Sequence, residues 1–132
     1  MKVLSLNEPY ATLIKDGVKT VETRRWKTNY RGPIYIHASL SKSKLPGVDI
    51  AEKLLKSEEK PGFILCKCEL VDCIEMTDEY LQHLDKESNN YKCGIYAEGR
   101  YAWQLKLLEV LEEPILCNGK LGLWNYDDET KK

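Results

Sequence analysis

Alternating apolar and polar positions run through much of the chain and predict about five β-strands. A side-chain period of two residues is typical of strands with one buried face, and short continuous apolar runs fit strands buried on both faces. The predicted strands lie at residues 2–6, 18–26, 33–39, 63–76 and 101–111.

Short helices are predicted between these strands. The first begins at Asn7, whose side chain can cap it, and ends at Gly17. Two more are expected at residues 48–57 and 77–84. Residues 85–100 are polar and contain glycine, so we expect a loop or a mobile lid there.

The lengths of these elements favour an α+β fold. Strands longer than the helices, without long βαβ units, assemble most simply as a small mixed or antiparallel β-barrel with short peripheral helices. A chain of 132 residues fits one domain. We expect that domain to span residues 1–126, with residues 127–132 as a frayed, charged tail.

The composition is that of a globular protein and not of a disordered or membrane-spanning one. A hydrophobic fraction of 42% with 31% charged residues is too apolar for a disordered chain, and no apolar run approaches the roughly 20 residues of a membrane span. The first residues lack the features of a signal peptide, so we expect a cytoplasmic protein. Cys66 and Cys68 resemble half of a zinc site, but no second ligand pair stands at suitable spacing. We therefore expect no metal and no cofactor.

Charge is distributed unevenly along the chain. The net charge is −1, yet residues 15–44 hold eight basic residues against Asp16 and Glu22. Residues 69–90 reverse the balance, with seven acidic residues and only Lys86 as a base. Two ordinary solvated faces would explain this pattern. The alternative is that the basic part of the surface attracts phosphates.

The strand predicted at residues 18–26 carries the most informative side chains. Glu22, Arg24 and Trp26 stand at every second position and would point the same way. Together they offer an acceptor, a planar fork of donors and an aromatic platform, a set that can hold a nucleobase. The alternative is an ion pair between Glu22 and Arg24 with Trp26 in the core.

Three further residues can contribute to the same site. Lys19 lies three positions before Glu22, and a lysine beside a carboxylate in a partly desolvated pocket can serve in proton transfer. His37 and Ser39 share one face of a buried strand. The competing interpretations are a surface lysine and a histidine that is simply hydrogen-bonded in the core.

The sequence resembles the ASCH domain, named for its homology to a region of the activating signal cointegrator. The resemblance covers nearly the whole chain and is strongest in a Gly-x-Lys-x-x-Glu-x-Arg core. The matching positions are residues 5–11, 17–24, 26, 31–32, 36–39, 62–73, 101–103 and 114–124.

This resemblance implies a β-barrel related to the PUA fold and a cleft associated with RNA or DNA binding. One branch of the family hydrolyses the acetyl amide of N4-acetylcytidine, and a ribonuclease activity is attributed to another. Lys19 matches a lysine of the amidohydrolase branch, but Glu22 stands where that branch has a threonine nucleophile. The third residue of that site would correspond to Glu79 or Glu87. Attack by water, assisted by Glu22 and Lys19, remains open.

We therefore expect a monomeric binding module for RNA, a nucleoside or a nucleotide, with DNA also possible and no membrane partner. In this hypothesis Lys19, Glu22, Arg24, Trp26, His37 and Ser39 line the pocket, while Arg31, Lys42 and Lys44 contact the backbone. The alternatives are an amidohydrolase, in which Lys19 and Glu22 are catalytic, and a protein-interaction domain.

Overall fold

The computed structural model describes residues 1–127, which form six strands and four short helices. The tail predicted at residues 127–132 therefore lies, beyond Asp127, outside the described residues. The elements are β1 (Lys2–Glu8), α1 (Tyr10–Lys15), β2 (Val21–Arg24), β3 (Gly32–Lys42), α2 (Val48–Glu52), β4 (Phe63–Glu75), α3 (Asp78–Gln82), α4 (Asn89–Lys92), β5 (Tyr101–Leu116) and β6 (Leu123–Asn125).

All six strands belong to one mixed sheet with the order β2-β5-β4-β3-β1-β6. β1 runs parallel to β3, and the other neighbouring pairs are antiparallel. The α+β class is thus confirmed. The predicted barrel is wrong in one respect, because β2 and β6 are the two edges of the sheet and do not pair to close it.

The outer edge of β2 is covered by the chain around α4 instead of by another strand. Thr20 N and Val21 N donate to Asn90 Oδ1 at 2.7 and 3.1 Å, and Ile95 N donates to Thr23 Oγ1 at 3.1 Å. The first two bonds satisfy backbone N–H groups that would otherwise be free to pair with a further strand, and the third ties the segment after α4 to the side chain of Thr23. The predicted loop or lid at residues 85–100 therefore contains a helix and is bonded to the sheet.

The largest part of the core lies between the sheet and α1. Leu4 and Leu6 of β1, Ile14 of α1 and Trp103 of β5 are at most 3% exposed. The predicted cap at Asn7 is wrong, because β1 continues to Glu8. Glu8 takes over part of that role, since its Oε1 accepts a hydrogen bond from Thr12 N at 2.8 Å.

The ends of several elements differ from those predicted from the sequence. α2 covers only the first half of the helix predicted at residues 48–57, and β2 covers only the middle of the strand predicted at residues 18–26. β5 extends five residues beyond its predicted end, to Leu116. Its extension places Leu116 beside the site described next.

Candidate functional site

A cleft of about 890 Å³ opens beside β1, β2 and β3. β2 and the turn after it form one wall, the end of β3 and residues 116–122 form the other, and polar side chains of β1 and β3 lie between them. Its lining includes Ser5, Asn7, Glu22, Arg24, Arg25, Trp26, His37, Ser39, Leu40, Arg100, Leu116, Lys120 and Leu121.

Lys19 lies behind this wall and is not among the residues that line the cleft. It is 1% exposed, and its Nζ donates to the carbonyl oxygens of Val21 at 2.6 Å and Cys93 at 2.7 Å. Its third neighbour is Glu22 Oε1 at 3.5 Å. Burial lowers the pKa of Lys19, and the charge of Glu22 opposes that shift. The ammonium thus joins β2 to the segment that follows α4.

Glu22 and Arg24 extend this charge network to the cleft surface. Arg24 Nε lies 3.0 Å from Glu22 Oε2, and Arg24 Nη2 donates to the carbonyl of Ser5 at 2.9 Å. The Glu22 contact is an ion pair and not an aligned hydrogen bond, because Arg24 Nε has no hydrogen-bond partner. Both carboxylate oxygens of Glu22 therefore face cations of the protein itself.

Trp26 lies on the cleft wall and is 47% exposed. The Arg24 guanidinium sits 5.4 Å from the centre of its ring, at cation–π distance. Its backbone carbonyl accepts a hydrogen bond from Trp103 Nε1 at 3.2 Å, which fixes the chain at this point. The alternative that places Trp26 in the core is wrong, because Trp26 is half-exposed while Trp103 and Trp124 are the buried tryptophans.

His37 belongs to a chain of hydrogen bonds beneath the polar floor. Its Nε2 lies 3.0 Å from the carbonyl of Cys117, which can only accept, so Nε2 carries the proton. Nδ1 then accepts from Ser5 Oγ at 3.1 Å, and Ser5 Oγ accepts from Trp124 Nε1 at 2.9 Å. His37 is 1% exposed, so this chain anchors residues 117–124 against β1 and β3.

The cleft also holds cations that the sequence reasoning missed. Arg25 and Lys120 line it, are exposed, and make no hydrogen bond or ion pair with the described part of the chain. Arg100 lines it too, and its Nε donates to the carbonyl of Ile95 at 2.9 Å. Burial lowers the pKa of Arg100, and the like charges of Arg25 and Arg24 add to the shift. Glu22 is the one carboxylate among the described lining residues.

Other predicted binding residues lie elsewhere. Arg31 pairs with Asp72 at 3.3 Å, and Lys42 contacts Glu59 at 3.1 Å, outside the cleft. Lys44 is exposed but does not line it either. Ser39 does line it, and its Oγ donates to Asn7 Oδ1 at 2.6 Å. Only Glu22, Arg24 and Trp26 were predicted to share one strand face. Arg25 also lines the cleft, because β2 ends at Arg24 and the two-residue alternation does not continue beyond it.

Residues 1–127 contain no cluster of three or more His, Cys, Asp or Glu side chains that could hold a metal ion. Cys66 and Cys68 are fully buried in the core. The same residues form no helix that is long and apolar enough to cross a membrane.

Residues 4–115 match the family model of the ASCH domain. The chain belongs to the ASCH domain family. This ASCH domain is 27% identical over 99 residues to activating signal cointegrator 1 of Homo sapiens and equally similar to that of Mus musculus. Each alignment covers 66% of this chain and 17% of the relative, so the chain spans a small part of their length.

A solved structure shows the same fold. The crystal structure of ASCH from Zymomonas mobilis superposes on this ASCH domain with a TM-score of 0.58 at 20% sequence identity. The match covers 98% of this chain and 90% of the other. The ASCH fold, consistent with the PUA-like architecture, therefore extends over the whole described domain.

Proposed function

We propose that this ASCH domain binds RNA, or a nucleotide, by stacking one base on Trp26 in the cleft. Membership of the family relates the chain to RNA binding in general. The observation that carries the finer proposal is a half-exposed tryptophan in a cleft that is lined by four cations. Base stacking on an aromatic side chain contributes about 1–3 kcal/mol per base.

Two lining cations are free to contact phosphate. Arg25 follows β2 directly, and Lys120 lies in the loop on the opposite side of the cleft. Neither has a partner among the described residues, so binding a phosphate would break no contact within the protein. Local positive charge at the cleft explains how a chain with a net charge of −1 could bind an anion.

The floor of the cleft offers groups for the edge of the base. Asn7 is exposed, and its Oδ1 accepts from Ser39 while its Nδ2 has no partner within the described chain. That amide can donate to a base carbonyl, as side chains do when they recognise unpaired bases. His37 holds the floor in place through Ser5 and Cys117 rather than contacting the ligand.

The amidohydrolase alternative receives less support from the geometry. Lys19 and Glu22 are close, but Lys19 does not reach the cleft and both oxygens of Glu22 face protein cations. A general base must reach the proton that it removes, and these two groups are engaged with each other instead. We therefore assign Lys19, Glu22 and Arg24 the role of positioning Trp26 and the β2 wall.

The test is equilibrium binding of a uridine mononucleotide and a short single-stranded RNA to the wild type and to Trp26→Ala. We expect the variant to bind both ligands about five- to 150-fold more weakly, since the stacking contribution of about 1–3 kcal/mol is lost. Val71→Ala is the control, because Val71 is also half-exposed but lies outside the cleft. Equal affinities of Trp26→Ala and the wild type would overturn the proposal.

A further inference from the structure

Exposed leucines lie on the wall opposite Trp26. A site that binds a single base on Trp26 does not need this second apolar surface. Leu121 is 98% exposed, Leu40 81% and Leu116 71%, and all three line the cleft. Leu40 and Leu116 flank Gly62 closely, since a Cβ on Gly62 would lie 3.3 and 3.5 Å from their methyl groups. We name Leu40, Leu116 and Leu121 the leucine shelf.

The loop that carries Leu121 is held at both ends. Cys117 N donates to the carbonyl of Gly62 at 3.1 Å, and β6 begins at Leu123, which pairs with Leu4. Gly119 lies directly against His37, because a Cβ at that position would come within 2.6 Å of the imidazole. Leu121 is therefore displayed from an anchored loop, and with Leu40 and Leu116 it adds exposed apolar surface to the cleft. Exposed apolar patches of this kind mark binding surfaces.

Each wall of the cleft carries a cation that is followed directly by an apolar or aromatic residue. On one wall the unpaired cation Arg25 is followed by Trp26, and on the other the unpaired cation Lys120 is followed by Leu121. Each pair places a positive charge next to a flat or apolar surface, which matches a phosphate next to a base. The volume of about 890 Å³ lies near the upper end of the range for sites that enclose one drug-sized ligand, so the cleft has room for more than one base.

We infer that the cleft takes two consecutive nucleotides of a single strand, the first base on Trp26 and the second on the leucine shelf. This inference rests on the proposed function and extends it from one base to a dinucleotide step. Arg25 and Lys120 would then contact the phosphates of the two nucleotides. An uncharged apolar ligand would use the shelf but would leave both cations without a partner.

The experiment compares a uridine mononucleotide with the dinucleotide pUpU on the wild type and on the double variant Leu116→Ser/Leu121→Ser. We expect the wild type to bind the dinucleotide at least about tenfold more tightly than the mononucleotide, because a second base is buried. The double variant should lose this gain and keep its affinity for the mononucleotide. Leu108→Ser is the matched control, since Leu108 is 45% exposed and lies away from the cleft.

The outcomes separate this inference from the proposed function. Mononucleotide binding without any gain for the dinucleotide would overturn the two-nucleotide site and leave the proposed function standing. A gain that persists in the double variant would overturn the role of the leucine shelf. Failure of both ligands to bind the wild type would overturn the account of the cleft as a whole. Binding of an octanoate probe that the double variant abolishes, without any gain for the dinucleotide, would overturn the two-nucleotide site and assign the leucine shelf to an acyl ligand.

Discussion

Two groups of charged side chains at the cleft differ in what they contact. Lys19, Glu22 and Arg24 bind one another and the backbone of neighbouring segments. Arg25, one residue further, makes no contact of this kind, and Lys120 across the cleft is equally free. The first group stabilises the wall, and the second remains available to a ligand.

This difference teaches that a strong sequence motif need not be the part that touches the ligand. The buried charges of the motif fix where Trp26 and Arg25 emerge from β2. A charge that is removed from water must be paired, whereas a cation left unpaired at the surface of a cleft stays hydrated until an anion binds. Substitutions should therefore separate stability from binding.

The largest effect is expected from Lys19→Met. Removing the ammonium leaves Glu22 with one cation and leaves two buried carbonyls without a donor. We expect a loss of about 3–5 kcal/mol in the free energy of unfolding, measured by urea denaturation. Lys44→Met, at an exposed lysine, should change this free energy by no more than about 0.5 kcal/mol. A folded variant with unchanged stability and no binding would instead place Lys19 in the ligand chemistry.

Trp26→Ala should affect binding more than stability. Nucleotide binding should weaken by about 1–3 kcal/mol, while the unfolding free energy should fall by about 1 kcal/mol or less, mainly through the lost contact with Arg24. Titration calorimetry and urea denaturation measure the two quantities. Trp26→Phe should retain part of the affinity because it keeps an aromatic face. A loss of several kcal/mol of stability in Trp26→Ala would show that the side chain belongs to the core.

A smaller effect is expected from the free cations. Arg25→Ala and Lys120→Ala should each flatten the plot of log affinity for single-stranded RNA against log salt concentration by a slope of about 0.7. Fluorescence anisotropy at several salt concentrations measures this slope. Arg31→Ala is the matched control, since Arg31 pairs with Asp72 outside the cleft. If Arg31→Ala changed the slope as much as Arg25→Ala, the phosphate path would not follow the cleft.

The smallest effect concerns Glu8, a buried carboxyl with hydrogen bonds but no cation. Burial raises its pKa above the usual 4.5, and the nearby charge of Glu59 adds to that shift. The folded protein therefore keeps the proton at pH values where the unfolded chain has lost it, so this stabilising contribution declines as the pH rises through that window. The difference in unfolding free energy between the wild type and Glu8→Gln, measured by urea denaturation, should therefore become less favourable to the wild type as the pH rises through this window. A difference that stays constant from pH 4 to 7 would contradict this reasoning.

The sequence pattern predicted the positions of most strands and the motif at residues 17–24, but not how the strands are arranged around the cleft. Alternation identified the strands that bear Leu4, Ile36 and Trp103, because burial imposes a period of two on each. It could not reveal that β2 ends at Arg24, because the residues that cover its edge, such as Asn90, lie some 70 positions away. The prediction of a closed barrel was wrong for the same reason, because the edge of β2 is bonded to the side chain of Asn90 and not to another strand.

The site was predicted in part for similar reasons. Spacing brought Glu22, Arg24 and Trp26 to one cleft, and His37 and Ser39 joined them there. Lys120 and Leu121 were missed, since a glycine-flanked loop shows no periodicity and only the anchoring of Cys117 by His37 directs it to the cleft. Local charge in the sequence did not show that Arg31 pairs with Asp72 and Lys42 with Glu59, outside the cleft.

The indole N–H signals of the three tryptophans offer the most direct test of the central claim. Trp26 is half-exposed in the cleft, whereas the Nε1 groups of Trp103 and Trp124 are bonded to the carbonyl of Trp26 and to Ser5. In a ¹H–¹⁵N titration with a uridine mononucleotide, the Trp26 signal, assigned from Trp26→Phe, should shift most and reach saturation. A Trp26 signal that stays fixed, while others move or none do, would contradict base capture at this cleft.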